Sequence, residues 1–405
     1  MKFYTEFVLC LLASWTLVAC VSNAPTADDV MAGGGDGGDT VMDGDGGFTG
    51  GAGAGGEQSQ PSANGGQGVA GSGPDAGTGS DAAGGEAAVP AGMVPMFVAV
   101  GPGLRTTISC DDGLTWVENR FEKESDDDFS HDETNIHGAV FSNGRFYYPA
   151  GWGPSNTRIF ASENGIDWER LYLGAAHQSN SMAAGDGVLV FGEGSTIRRS
   201  ADDGKTWTEV RLPADYSHMR LTHGGYQGGR FVVGGRDKRH TYSTNGGRTW
   251  IKGQGDGGHR PVYGGGVFVS FQEEGGSLVR SNDGGATWQP VSCCGNPGYI
   301  AHVFWSGTRF LLFTDNSVWA SVDGAVWEKQ SSVVMARLNA MARNPSSGTF
   351  VAAAGGRPVR FFRSADGLRW QPLADRAFSP QGAEIKYITF GYGRPSAKCP
   401  LRSLP

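Results

Sequence analysis

The sequence predicts an all-β protein, a seven-bladed β-propeller, and three observations predict it. Tryptophans 116, 168, 207, 250, 288, 327 and 370 recur at intervals of 38 to 52 residues. Each closes a short turn built from Ser, Asp or Asn, and Gly. The two ends of the repeat region supply complementary parts of one repeat. A fixed period of this size marks a propeller or an array.

The chain opens with Lys2 and an apolar run from Phe7 to Ala19, which reads as a secretory signal peptide over residues 1–19. Leu17-Val18-Ala19-Cys20 resembles a bacterial lipobox. That resemblance implies that Cys20 is the lipidated first residue of the mature protein and anchors it to a membrane. Val21 and Ser22 follow instead of Asp, which by the same resemblance implies the outer membrane. The expected location is therefore the cell envelope.

Residues 20–95 are rich in Gly, Ala, Asp and Ser, with ten acidic side chains and no Lys or Arg after Cys20. Such a composition buries no core, so a disordered linker is expected. A Gly-rich coil of this length reaches roughly 50 Å. The linker accounts for more than the whole formal charge of −8, which leaves the repeat region near +2. The acidity belongs to the tether. No basic stripe points to nucleic acid, and no later apolar run is long enough to cross a membrane.

The propeller is expected over residues 96–399, followed by a tail at 400–405. Four turns fit S-x-[DN]-x-G-x-T-W: Ser109–Trp116, Ser200–Trp207, Ser243–Trp250 and Ser281–Trp288. Three fit the shorter S-x-[DN]-G-x-x-W: Ser162–Trp168, Ser321–Trp327 and Ser364–Trp370. Their acidic or amide positions are Asp111, Asn164, Asp202, Asn245, Asp283, Asp323 and Asp366. An Asp or Asn oxygen accepts backbone N–H bonds within a tight turn, and Gly takes the positive φ that a side chain disfavours. The tryptophan then buries its ring between neighbouring sheets. These side chains are read as a hairpin staple, not as catalytic groups.

The turns resemble the Asp-box, or BNR, repeats of sialidases and many other propellers, over about residues 96–395. The resemblance implies the architecture but leaves activity open, since fold does not fix function. Sialidase activity is not supported: no Arg-Ile-Pro precedes the first turn, and Arg211-Leu212-Pro213 follows the third. The chain is more readily read as a non-enzyme, and no catalytic residue is assigned.

Between the turns, short β-branched and aromatic runs read as strands. Blade four offers Arg230–Gly235 and Thr241–Ser243; blade six offers Arg309–Phe313 and Ser317–Ser321. About 40 residues accommodate four strands, A to D. The first repeat begins at Met96–Gly101, which matches strand B, and Ile385–Arg394 matches the missing strand A. The first blade is therefore expected to close with the C-terminal strand, which removes exposed sheet edges.

Beyond Cys10 and Cys20, four cysteines remain, and they allow three pairings. A Cys110–Cys399 bond would clamp the closure, and Cys293–Cys294 would form a vicinal disulfide. An oxidising compartment fits this usage.

In propellers of this family the D→A and B→C loops share one face, and strand A lines the funnel. His137, His177, His218, His259 and His302 fall in D→A loops or at the start of strand A in five successive blades. Arg220 and Arg260 lie beside two of them, and Trp152 falls in a B→C loop. Such a ring suits an anionic sugar or a metal; the competing reading is that each histidine bonds a neighbouring loop. The imidazoles are expected to titrate near pH 6.5 unless perturbed. Affinity for an acidic ligand would then rise between about pH 7.5 and 5.5. The acidic stretch 122–133 offers hard oxygen ligands for Ca²⁺, although a solvated loop is the favoured reading. No cofactor is required by any motif.

Three functions fit this reading. The leading one is a tethered, monomeric propeller that binds a glycan or protein ligand without turnover. The others are a glycan-active hydrolase or lyase using the funnel, and an envelope assembly or structural factor.

Overall fold

The computed structural model describes residues 89–102, 104–120, 136, 138–151, 156–174, 179–193, 196–213, 216, 221–235, 239–271, 277–294, 300–314, 317–331, 338–354, 359–373 and 385–401. The expected signal segment, Cys20 and most of the expected linker lie outside them. Among the described residues, 28 strands form seven four-stranded antiparallel sheets, and no α-helix occurs. None of the described segments is a helix long and apolar enough to cross a membrane.

The innermost strands, from blade one to blade seven, are Tyr387–Gly393, Val140–Ser142, Ser179–Gly185, Leu221–Gln227, Val262–Gly264, Ile300–Trp305 and Leu338–Arg343. Each packs against the next, and the seventh packs against the first, which closes the ring. The second strands are mostly apolar, with charged residues only at an end, as at Arg145, Glu193 and Arg230. Val267–Phe271, Phe310–Thr314 and Phe350–Ala354 are buried at every residue. Each lies inside its own sheet, with neighbouring blades covering both faces, so alternation gives way to continuous apolar runs. The outermost strands are short and exposed, as in Ile251–Lys252 and Gln371–Pro372.

Blade one is made from both termini. Its second strand, Val94–Gly101, pairs with the C-terminal strand from Val94↔Gly393 to Val100↔Tyr387. Pairing thus begins two residues ahead of Met96. Cys110 is disulfide-bonded to Cys399, with their Cα atoms 5.8 Å apart. The Arg394 amide donates to the Glu163 carbonyl at 2.6 Å, which carries the C-terminus on to blade two.

The seven turns share one hydrogen-bond scheme. In blade three, Ser200 Oγ donates to Asp202 Oδ1 at 2.7 Å and accepts from the Gly204 amide at 2.9 Å. The Thr206 amide and hydroxyl donate to Asp202 Oδ1 and Oδ2 at 2.9 and 2.6 Å. In the shorter turn of blade six, Asp323 Oδ1 takes the amides of Ala325 and Val326 at 2.8 and 3.0 Å. The glycine has a second reason besides its positive φ. A Cβ on Gly285 would stand 2.5 Å from Val232 of blade four, and one on Gly367 2.5 Å from Leu311 of blade six. Six of the seven turns seat this glycine against the second strand of the preceding blade; in blade three a Cβ on Gly204 would instead stand 2.8 Å from Leu171, on the outermost strand of blade two.

The closing tryptophans differ from expectation in burial. Trp168, Trp250 and Trp288 are buried, whereas Trp116, Trp207, Trp327 and Trp370 are only partly covered. These rings begin the outermost strands, where one edge meets solvent. The indole N–H of Trp207 donates to the Gly204 carbonyl of its own turn at 2.9 Å, and Trp327 does likewise to Gly324 at 3.1 Å.

Candidate functional site at the entry of the innermost strands

Strands twist smoothly unless an extra residue is inserted, and a bulge then re-aims the side chains beside it. Four innermost strands carry such a shift at their first residues. The irregularities lie between Ser179 and Met182, Leu221 and His223, Ile300 and His302, and Leu338 and Ala340. They fall where the D→A connections enter the strands that meet at the centre of the ring.

Two of the expected site residues precede the innermost strand of blade five. The His259 amide donates to the Phe271 carbonyl at 2.8 Å, and the Arg260 amide donates to Ser270 Oγ at 3.1 Å. This backbone presses on blade four as well: a Cβ on Gly234 would lie 2.8 Å from the His259 carbonyl oxygen. The segment is thus held from two blades, and it presents a partly exposed His259 and Arg260. The Arg260 guanidinium lies 5.9 Å from the centre of the Phe271 ring.

His302 follows the bulge in blade six and is partly exposed. Its Nδ1 lies 2.8 Å from the Val303 carbonyl oxygen. A carbonyl only accepts, so the ring proton sits on Nδ1 and Nε2 is left as an acceptor. Burial pushes the imidazole down to about 4, the positive Arg260 acts in the same direction, and the Val303 carbonyl opposes both. This corrects the expectation of titration near 6.5. Surrounding protein and a neighbouring cation both disfavour the charged ring, so His302 stays neutral between pH 7.5 and 5.5.

Arg260 and His302 thus stand at the strand entries of adjacent blades five and six, where the Arg260 charge bears on the His302 ring, with His259 beside Arg260 in the chain. His137, His177, His218, Arg220 and Trp152 lie outside the described residues, as does the acidic stretch 122–133. Among the described residues, no group of three or more His, Cys, Asp or Glu side chains is placed to hold a metal ion. The carboxylates of the turns are engaged by their own loops. Hydrogen bonds from the Thr206 hydroxyl and amide hold Asp202 down at about 2. The amides of Val326 and Ala325 lower Asp323.

Several working residues escaped the sequence reading. Arg363 Nε donates to the Asp112 carbonyl at 2.9 Å, and its Nη2 reaches Asp112 Oδ2 at 2.7 Å, tying blade seven to blade one. Arg199 Nε donates to Gly246 O at 2.6 Å, and Arg280 Nε to Asp323 O at 2.7 Å, in the same sense. The signal was present: these arginines immediately precede the first Ser of their turns. His240 was also missed. It is buried, with its ring edge-on to Trp288 at 5.3 Å, and it fills space kept open by Gly253 and Gly257.

No protein-family model matches the chain, and no curated protein matches it. Solved structures do. A GH74 enzyme of Niastella koreensis aligns at TM-score 0.51 and 15% identity over 72% of this chain and 54% of that one. A functionally unknown protein of Desulfotomaculum acetoxidans aligns at 0.50 and 9%, over 72% and 99%. YCF48 bound to D1 peptide aligns at 0.45 and 16%, over 61% and 88%. At such identities the likeness is one of fold: this chain is a seven-bladed β-propeller.

Proposed function

We propose that this chain is an Asp-box propeller held at the cell envelope by a lipid on Cys20, where it binds an anionic glycan without turnover. The observation that carries the reading is the placing of a braced Arg260 before the innermost strand of blade five and of His302, its Nδ1 bonded to the Val303 carbonyl, at the bulged entry of blade six. A guanidinium takes a carboxylate through paired N–H donors. An imidazole Nε2 with its proton on the other nitrogen accepts a sugar hydroxyl. Together they suit a sugar acid, and the twofold bracing of the 258–260 segment limits the ordering cost of binding. The turn carboxylates support a binding role over hydrolysis, because their oxygens are already occupied by the turns.

An acidic-glycan array probed with the intact protein tests the reading. Arg260→Ala is expected to weaken the best hit about tenfold to a hundredfold, and His302→Ala about tenfold, with an unchanged melting temperature. Retention of full affinity by the double variant would remove the site. Fatty-acid labelling that persists in Cys20→Ser would remove the anchor.

A further inference from the structure

Two disulfides occur among the described residues, and they differ in what a cross-link does. Cys110–Cys399 spans 289 positions. Cys293–Cys294 spans one, with Cα atoms 3.7 Å apart. A cross-link stabilises a fold chiefly by shrinking the loop that the unfolded chain explores. A bond between neighbours closes no such loop, so its effect is local. Cys294 has φ +68, a left-handed conformation that a residue with a Cβ seldom adopts.

The location gives that local effect a target. The pair follows the outermost strand of blade five, Gln289–Val291, on the connection that leads to the innermost strand of blade six. Cys293 and Cys294 pack against the apolar cluster that contains Phe271, Leu278 and Ile300. Phe271 underlies Arg260, and Ile300 precedes the bulge that sets His302. Cys293 and Cys294 are both partly exposed; in the other pair Cys110 is partly exposed and Cys399 is fully buried.

We propose that Cys293–Cys294 is a thiol–disulfide exchange site, opened by a dithiol reductant, that sets how the entry of blade six packs. Its regulatory meaning rests on the binding reading given above. One thiolate of the reductant attacks a cysteine sulfur. The vicinal S–S bond breaks, a mixed disulfide forms, and the departing cysteine thiolate takes a proton. The second thiol of the reductant then displaces the other cysteine, which is protonated in turn. Two electrons pass to the protein, and the reductant leaves as a disulfide. The freed thiols no longer hold Cys294 left-handed, and their packing against the apolar cluster that includes Ile300 relaxes.

The test uses the whole chain, graded dithiothreitol, thiol trapping with N-ethylmaleimide and mass spectrometry of the peptides. Cys293 and Cys294 are expected to be labelled at roughly tenfold lower reductant than Cys110 and Cys399. At that intermediate point, amide hydrogen exchange over 300–305 is expected to rise severalfold. The Cys293→Ser/Cys294→Ser variant is expected to reproduce the rise without reductant. Release of all four thiols together overturns the proposal, and so does unchanged exchange over 300–305. Neither readout needs a glycan, so this proposal and the binding reading fail separately.

Discussion

Trp288 and Trp207 close equivalent turns but differ in surroundings. Trp288 is 3% exposed and packs with Val232, Phe268 and Val279 between blades four and five. Trp207 keeps part of its ring in solvent. Trp288→Ala is therefore expected to cost about 3–5 kcal/mol, the scale for removing a buried large aromatic. Trp207→Ala should cost less, roughly 1–3 kcal/mol, because less apolar area leaves water on folding. Equal losses in urea midpoints would contradict this ranking. The spacing of both tryptophans was legible in the sequence because it is periodic. Their burial was not, because it depends on the side chains of the preceding blade. The same holds for Arg199, Arg280 and Arg363, whose partners lie one blade further on or, for Arg363, 251 residues back.

At the scale of strands and turns, the elements were largely readable and their irregularities were not. Gly-bounded apolar runs marked the second and third strands, and the closing strand of blade one was evident from its missing counterpart. The bulges at four strand entries follow from how each connection meets its neighbour, and no local composition announces them. The blade four–five seam shows what such packing does to a titratable group. Burial pushes His240 down to about 4, against weaker opposing effects of the Ala286 and Gly285 backbone and of Asp283 and Asp256. An unfolded imidazole titrates near 6.5, so between these values the unfolded chain binds a proton that the folded chain refuses. Stability should therefore fall as the pH drops from about 7 to 4, by on the order of 3 kcal/mol from this residue. The neutral His302 acts in the same direction. The carboxylates act in a separate window: Asp202, held at about 2, stabilises above about pH 4 and loses that contribution as acid approaches its folded value. Urea unfolding of His240→Leu at pH 7 and pH 4.5 tests the assignment. The variant should show a visibly smaller pH difference than the parent, and an unchanged difference would place the acid sensitivity elsewhere.

At the scale of the whole molecule, a ring is only as strong as its closing seam. Six blades are each built from one continuous stretch, and blade one alone joins residues from both ends. Seven paired positions and the Cys110–Cys399 bond hold that seam, and Asp112 adds contacts to Asn344, Ser347, Thr349 and Arg363 of blade seven. Cutting the disulfide frees a loop of nearly the whole propeller, and the chain-entropy model puts that loss at roughly 6 kcal/mol as an upper figure. Cys399 is buried beside the seam, so the cut also loosens packing there. The Cys110→Ala/Cys399→Ala variant should melt well below the parent, with amide protection lost first over 94–101 and 387–393. The variant should still fold, because the strand pairing remains and the other six blades keep their own hydrogen bonds. If its protection falls evenly around the ring, or its melting temperature matches the parent's, closure is not where this propeller opens. The covalent clamp would then be redundant with the strand pairing it accompanies.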